Sequence, residues 1–166
     1  MIRRYGPPPR PGIPYRLRPG AYALILRGDR VLLTHQAAPE PEFQLPGGGI
    51  DPGESAPAAL HREVREETGW TIGALRRIGT YRRFVYMPDY DLFAEKLCSV
   101  WLAHAGLCRG APSEPGHSAH WVACADVPAL LPDPGARDMV ARWLSAPAGR
   151  ARRDGARKAR LPQLAP

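Results

Sequence analysis

The stretch from Gly48 to Trp70 constrains the fold of this chain more than any other segment. A run of three glycines, Gly47, Gly48 and Gly49, is followed by a turn at Asp51-Pro52-Gly53 and then by a helical pattern over residues 55–68. Ser55 can cap that helix, Pro57 falls in the first turn where its missing N–H costs little, and Gly69 provides the stop. Leu60 and Val64 lie on one face, with Thr68 a turn further on, so the helix must cover a hydrophobic surface. Glu63, Glu66 and Glu67, at i, i+3 and i+4, project from one side as neighbours. Three like charges that close destabilise a helix, and a divalent cation is the simplest compensation. Carboxylate ligands select a hard ion, Mg²⁺ or Mn²⁺, over zinc. The bland alternative is a solvated acidic face tied to Arg62 and Arg65.

The surface that receives the helix is a sheet. Residues 21–27 and 30–36 are apolar runs joined by Gly28-Asp29, a hairpin signal. Residues 43–45 add a few strand positions, and strand-like patterns return at 75–87, 96–105 and 120–125. A short helical turn is expected at 127–131 and a second long helix at 136–144, where Met139, Val140 and Trp143 are apolar. Strands, a helix, more strands and another helix do not make a regularly alternating doubly wound sheet. The order predicts an α/β (α+β) chain with a mixed sheet and helices on both faces.

Twenty prolines and seventeen glycines are many for a globular chain, but they cluster. Pro7, Pro8, Pro9, Pro11 and Pro14 mark residues 1–14 as a Pro-rich arm or linker. Residues 15–146 form the expected domain and 147–166 a basic tail. The net charge of +7 belongs to the ends. Residues 1–18 hold five arginines and no acid, and residues 150–160 hold six basic groups against Asp154, which leaves the middle acidic. An acidic centre suits a cation site better than a nucleic-acid groove. Three widely spaced cysteines, Cys98, Cys108 and Cys124, argue against both a disulfide framework and a zinc site, and point to a reducing cytoplasm. No secretory signal and no membrane-length apolar run is visible.

Residues 48–70 resemble the Nudix box, G-x5-E-x7-R-E-U-x-E-E-x-G-U with U a bulky apolar residue. Gly48, Glu54, Arg62, Glu63, Val64, Glu66, Glu67 and Gly69 fall on the pattern, and Trp70 departs from it only in being aromatic. The resemblance implies a Nudix-like α/β/α sandwich and hydrolysis of a pyrophosphate bond by water with Mg²⁺ or Mn²⁺. It makes Glu63 and Glu67 the principal metal ligands, with Glu66 completing the cluster, and pairs Glu54 with Arg62 in a structural role. It assigns Gly47, Gly48 and Gly49 to close approach of a phosphate; a plain loop is the alternative. The general base in relatives is a box glutamate, equivalent to Glu63, or a carboxylate on a later loop. Glu114 is the best later candidate here, set against an ordinary solvated loop residue. His117, His120 and Glu95 are weaker candidates.

The substrate is less legible. Tyr81, Arg82, Arg83, Phe84, Tyr86 and Tyr90 suit base stacking and phosphate contacts, with Arg82 and Tyr86 as the candidate binding residues. Alternation along a strand sends at least half of this set to packing or solvent. Tyr86 and Pro88 lie near a position that distinguishes subfamilies, which keeps dinucleoside polyphosphates and ADP-ribose open alongside a modified nucleoside triphosphate. Residues 32–48 lack the arginines of the coenzyme A subfamily. The partners expected are a nucleotide substrate, RNA in weak contact with the basic tail, and no membrane, with room for a homodimer. The alternatives are an RNA 5′-pyrophosphohydrolase and a non-catalytic module that binds a nucleotide or RNA; the retention of every box carboxylate argues against the latter.

Overall fold

Alternation of side chains along β2 (Arg16–Arg27) organises the molecule. Leu24 and Leu26 turn to one face of the sheet and Ala21, Ala23 and Ile25 to the other, and all five are buried. A strand apolar on both faces needs a helical layer on each. A computed structural model describes residues 1–147 and has that architecture. On one side α1 (Ala56–Thr68) brings Leu60 and Val64 against Ala21, Ile25 and Leu32. On the other, α2 (Val127–Leu130) and α3 (Pro134–Ser145) bring Val127, Val140 and Leu144 against Leu24, Leu26 and Val100. The expected α/β/α sandwich with a mixed sheet is therefore the observed fold.

The remaining strands are β1 (Arg3–Arg4), β3 (Arg30–Gln36), β4 (Glu42–Gln44), β5 (Gly47–Gly49), β6 (Trp70–Met87), β7 (Leu92–Cys108) and β8 (His117–Ala123). They form one sheet in the order β1-β6-β7-β2-β3-β4, with β5 paired to β2 and β8 to β3. β2 runs parallel to β7 and β1 parallel to β6; the other pairs are antiparallel. The hairpin of β2 and β3 turns at the expected Gly28-Asp29, with Arg27 opposite Arg30.

Several segments differ from the sequence reading: β2 starts at Arg16 rather than 21, and β8 spans His117–Ala123 rather than 120–125. β6 starts at Trp70, five residues before the expected 75, because its register shifts at Trp70/Ile72, Gly73/Arg76 and Arg77/Gly79 break the period-two signal. β7 is also longer than expected at both ends. The glycine run, given a loop as its plain alternative, is a strand: Gly47, Gly48 and Gly49 pair with Tyr22, Ala21 and Gly20.

Residues 3–5, at the start of the expected Pro-rich arm, join the sheet. Arg3 and Arg4 pair with Tyr81 and Arg82, and the Tyr5 N–H donates to the Arg82 carbonyl at 2.9 Å. The Tyr5 ring packs edge-on against Tyr81 and its hydroxyl donates to Asp138. Among the described residues no helix is long and apolar enough to cross a membrane. The basic tail beyond residue 147, with the RNA contact expected of it, lies outside the described residues.

Candidate functional site

The site is built where β5 meets α1. Ser55 caps α1 by accepting from the Ala58 N–H, and Gly69 ends it in the left-handed conformation at φ 73°. Between these caps, packing of Leu60 and Val64 sets the rotation of the helix and turns Glu63 and Glu67 to Gly48 and Gly47 of β5, with Glu66 beside Arg62. Gly48 permits the close approach: a Cβ there would sit 2.7 Å from the Glu63 carboxyl group.

Arg62 ties the preceding loop to the helix. Its Nε and Nη2 donate to the two carboxylate oxygens of Glu54 at 3.0 and 2.9 Å, a bidentate fork, and Nη2 also donates to the Gly49 carbonyl at 3.2 Å. The guanidinium holds the Glu54 carboxyl below the usual carboxylate range. Its Nη1 reaches Glu63 at 2.8 Å and Glu66 at 3.5 Å, so one cation orients three acids. Replacing Arg62 by alanine is expected to lower divalent-cation affinity about 10- to 100-fold, as loss of a residue that orients ligands does, with little change in secondary structure. Titration calorimetry with Mn²⁺ and circular dichroism on the same sample would check both halves.

Glu63, Glu66 and Glu114 each offer a carboxylate oxygen, and these atoms lie within 4.8 Å of one another. Glu114 arrives by backbone pairing, since the N–H groups of Ser113 and Glu114 both donate to the Glu66 carbonyl, at 2.8 and 2.9 Å. The Arg109 N–H donates to the Gly69 carbonyl at 2.8 Å, which docks the start of the same loop onto the helix end. Burial, only partly offset by Arg62, raises the pKa of Glu63, and the Glu66 and Glu114 carboxylates raise it further. Three mutually repelling carboxylates with oxygen-only donors fit a hard divalent ion.

Glu67 is placed differently from its box partners. It is 6% exposed, accepts the Gly47 N–H at 2.9 Å and stands 3.8 Å from the His117 ring, which in turn contacts the Thr34 hydroxyl at 2.9 Å. Burial pushes its pKa up to about 8, with the Glu63, Glu114 and Glu66 carboxylates adding to the rise and the Gly47 N–H opposing it. Glu67 thus lies behind the triad rather than within it. His117 is the polar neighbour at its back. His120 sits outside this arrangement, bonded to Ser118 at 2.8 Å and packed on His35 and Phe43.

A cavity of about 340 Å³ opens on the α3 side of the sheet, lined by Tyr22, Phe43, Tyr81, Arg83, Lys96 and Asp133, among others. Tyr22, in the lining, is the register partner of Gly47, whose N–H binds Glu67, so the cavity adjoins the β2–β5 pair that contacts the acidic cluster. Of the two arginines weighed in the sequence, Arg83 rather than Arg82 lines this cavity. Strand alternation turns Arg82 the other way, where it pairs with Glu95 at 2.9 Å. Tyr86 also lies outside it; its hydroxyl donates to Asp91 at 2.6 Å and its ring packs on Phe93. Lys96, Phe43 and Asp133 carry no joint sequence signal, because they come from β7 opposite Arg83, from β4 and from the N-cap of α3.

A two-sided sheet with a capped acidic helix against a glycine strand defines the architecture, and comparison with known proteins names its family. The NUDIX domain model matches residues 16–144, and the chain belongs to that family. The chain is 38% identical over 74 residues to a protein of Bacillus subtilis named putative 8-oxo-dGTP diphosphatase, covering 45% of this chain and 50% of that one. It is 40% identical over 67 residues to the NAD-capped RNA hydrolase NudC of Mycobacterium tuberculosis, covering 39% of this chain and 21% of that one. The chain therefore spans half or less of these curated relatives. A MutT NUDIX hydrolase from Burkholderia pseudomallei superposes with a TM-score of 0.60 at 27% identity, covering 76% of this chain and 97% of that one.

Proposed function

We propose that the protein is a divalent-cation-dependent hydrolase that cleaves a pyrophosphate bond in a nucleoside diphosphate linked to another group. The observation that carries this reading is the convergence of the Glu63, Glu66 and Glu114 carboxylates within 4.8 Å. Mg²⁺ or Mn²⁺ held by these residues, with Glu67 behind them, would neutralise phosphate charge and activate water at neutral pH. Family membership and the relatives' names support the reaction class; the geometry supports the assignment of residues.

The chain's own groups supply the rest. The cavity lined by Tyr22 and Phe43 would receive the base, with the phosphates directed toward the acidic end of α1. Arg62 keeps Glu63 and Glu66 oriented, so little reorganisation is required when the substrate arrives. Water attacks one phosphorus, the bridging oxygen leaves with the other phosphoryl group, and a carboxylate takes the proton. Glu114, which keeps a second carboxylate oxygen when one holds the cation, is the base we favour: it is exposed and held by its backbone, whereas Glu63 is engaged by Arg62.

The test is a product-resolved panel with Mg²⁺ over ADP-ribose, dinucleoside polyphosphates, nucleotide sugars, oxidised nucleoside triphosphates and 5′-capped or 5′-triphosphate RNA. Running it in ¹⁸O-labelled water identifies the phosphorus attacked. Cation-dependent cleavage of at least one member between two phosphorus atoms is expected. Tight binding across the panel without any product would instead favour a binding module. The RNA arm is motivated by the NudC relative's name.

A further inference from the structure

Two basic side chains stand side by side on the floor of the cavity. Arg83 on β6 is the register partner of Lys96 on β7, so both project to the same face, and like charges directly opposite one another are unfavourable. Arg83 is neutralised by Asp133 at 2.8 Å. That carboxylate is then fully used: one oxygen accepts the Gly135 and Ala136 N–H groups at 2.8 and 3.2 Å, and the other also accepts the Tyr81 hydroxyl at 3.0 Å. Lys96 has no hydrogen bond or ion pair among the described residues, only a cation–π contact with Tyr22 at 5.8 Å. Burial and the neighbouring Arg83 hold its pKa below the ordinary lysine value.

We infer that Lys96 is a specificity residue that selects a base bearing a ring carbonyl over one bearing an amino group at the same position. The inference rests on the proposed function, in which this cavity receives the base. An ammonium group carries three donors and no acceptor. It can meet a carbonyl oxygen, but it leaves an exocyclic amine facing another donor. Asp133 is saturated and offers the amine no acceptor beside Lys96; the other polar side chains of the lining, Gln36, Glu42 and Gln44, belong to β3 and β4, beyond β2, and bond to one another through Gln44. Beside these polar groups, Tyr22, Phe43, Leu45 and Leu131 give a flat ring apolar surface to pack on. The inference concerns which base is accepted and is independent of the cation-binding acids.

Inosine and adenosine nucleotides differ in the required way, carbonyl against amine at one ring position. Equilibrium binding of IMP, AMP and ribose 5-phosphate, measured by calorimetry without divalent cation, tests the inference directly. The intact protein is expected to bind IMP about tenfold or more tighter than AMP, the scale of a hydrogen bond to a charged donor. Lys96→Met should bring the two within about twofold of each other, and Lys96→Arg should keep the order of preference. Equal binding of IMP and AMP by the intact protein overturns the inference even if Lys96→Met fails to fold. So does ribose 5-phosphate binding as tightly as IMP, which would mean that the cavity reads the phosphate. Cleavage of ITP and ATP at equal efficiency would sink the inference while leaving the hydrolase reading intact; no cation-dependent cleavage anywhere in the substrate panel would sink that reading alone.

Discussion

Replacing Glu63 by glutamine is expected to lower cation-dependent turnover by roughly a thousandfold, about 4 kcal/mol of transition-state stabilisation, while the fold survives. Glu63 belongs to the triad, bonded to Arg62 and packed over Gly48 where no Cβ intervenes. Glutamine retains the shape and the carbonyl that accepts from Arg62, but it loses the charge that a divalent ion needs. The loss should fall mainly on kcat, and the melting temperature without cation should hold or rise, because removing one of three crowded carboxylates relieves repulsion. Glu67→Gln should act in the same direction. Its buried carboxyl already has a raised pKa, so a neutral amide that still accepts the Gly47 N–H keeps the protein folded and removes activity. Single-turnover kinetics with Mg²⁺, alongside thermal melts with and without it, separate the two effects. Near-normal turnover in both variants would remove the metal assignment.

The second large effect is thermodynamic. Gly47 adopts φ 139°, and a Cβ placed there would lie 2.2 Å from the Ala21 carbonyl oxygen and 2.7 Å from the Tyr22 Cα. Both are backbone atoms of the central strand, which cannot yield without disturbing both layers of the core. Gly47→Ala is therefore expected to destabilise the protein by about 3 kcal/mol or more and to detach β5 from β2. The Gly47 N–H would leave Glu67 in the same event, so activity should fall with stability. Gly48→Ala is the informative contrast. Its Cβ would meet the Glu63 carboxyl, the movable end of a side chain, so activity should fall much further than stability. Urea unfolding curves for the two variants, set beside their rates, would show whether the glycine strand serves the fold at one position and the site at the next.

What could be read in the sequence was local. Ser55, Pro57 and Gly69 define α1 by capping chemistry within one segment, and Glu63, Glu66 and Glu67 follow from helical periodicity. The hairpin at Gly28-Asp29 is equally local. Glu114 was within reach as a loop acid, but the contact that seats it, its N–H on the Glu66 carbonyl, spans 48 positions and leaves no periodic trace. The cavity was less legible still. Whether Arg82 or Arg83 enters it depends on the register of β6, and the three register shifts in that strand scramble the alternation from which the facing side would be read. Lys96, next to the acidic Glu95 and opposite an arginine, has no sequence signature as a ligand-facing residue. The separation of Glu67 from the triad was also invisible, because helical spacing gives the side of the helix and not the depth to which each carboxylate is buried.

The most direct test is crystallographic. Crystals soaked in Mn²⁺ should give an anomalous peak between the Glu63, Glu66 and Glu114 carboxylates, with metal–oxygen distances of about 2.1–2.3 Å, typical of small hard divalent ions. Ordered carboxylates with no peak between them, at Mn²⁺ concentrations that support turnover of any panel substrate, would contradict the assignment of this cluster as the catalytic centre.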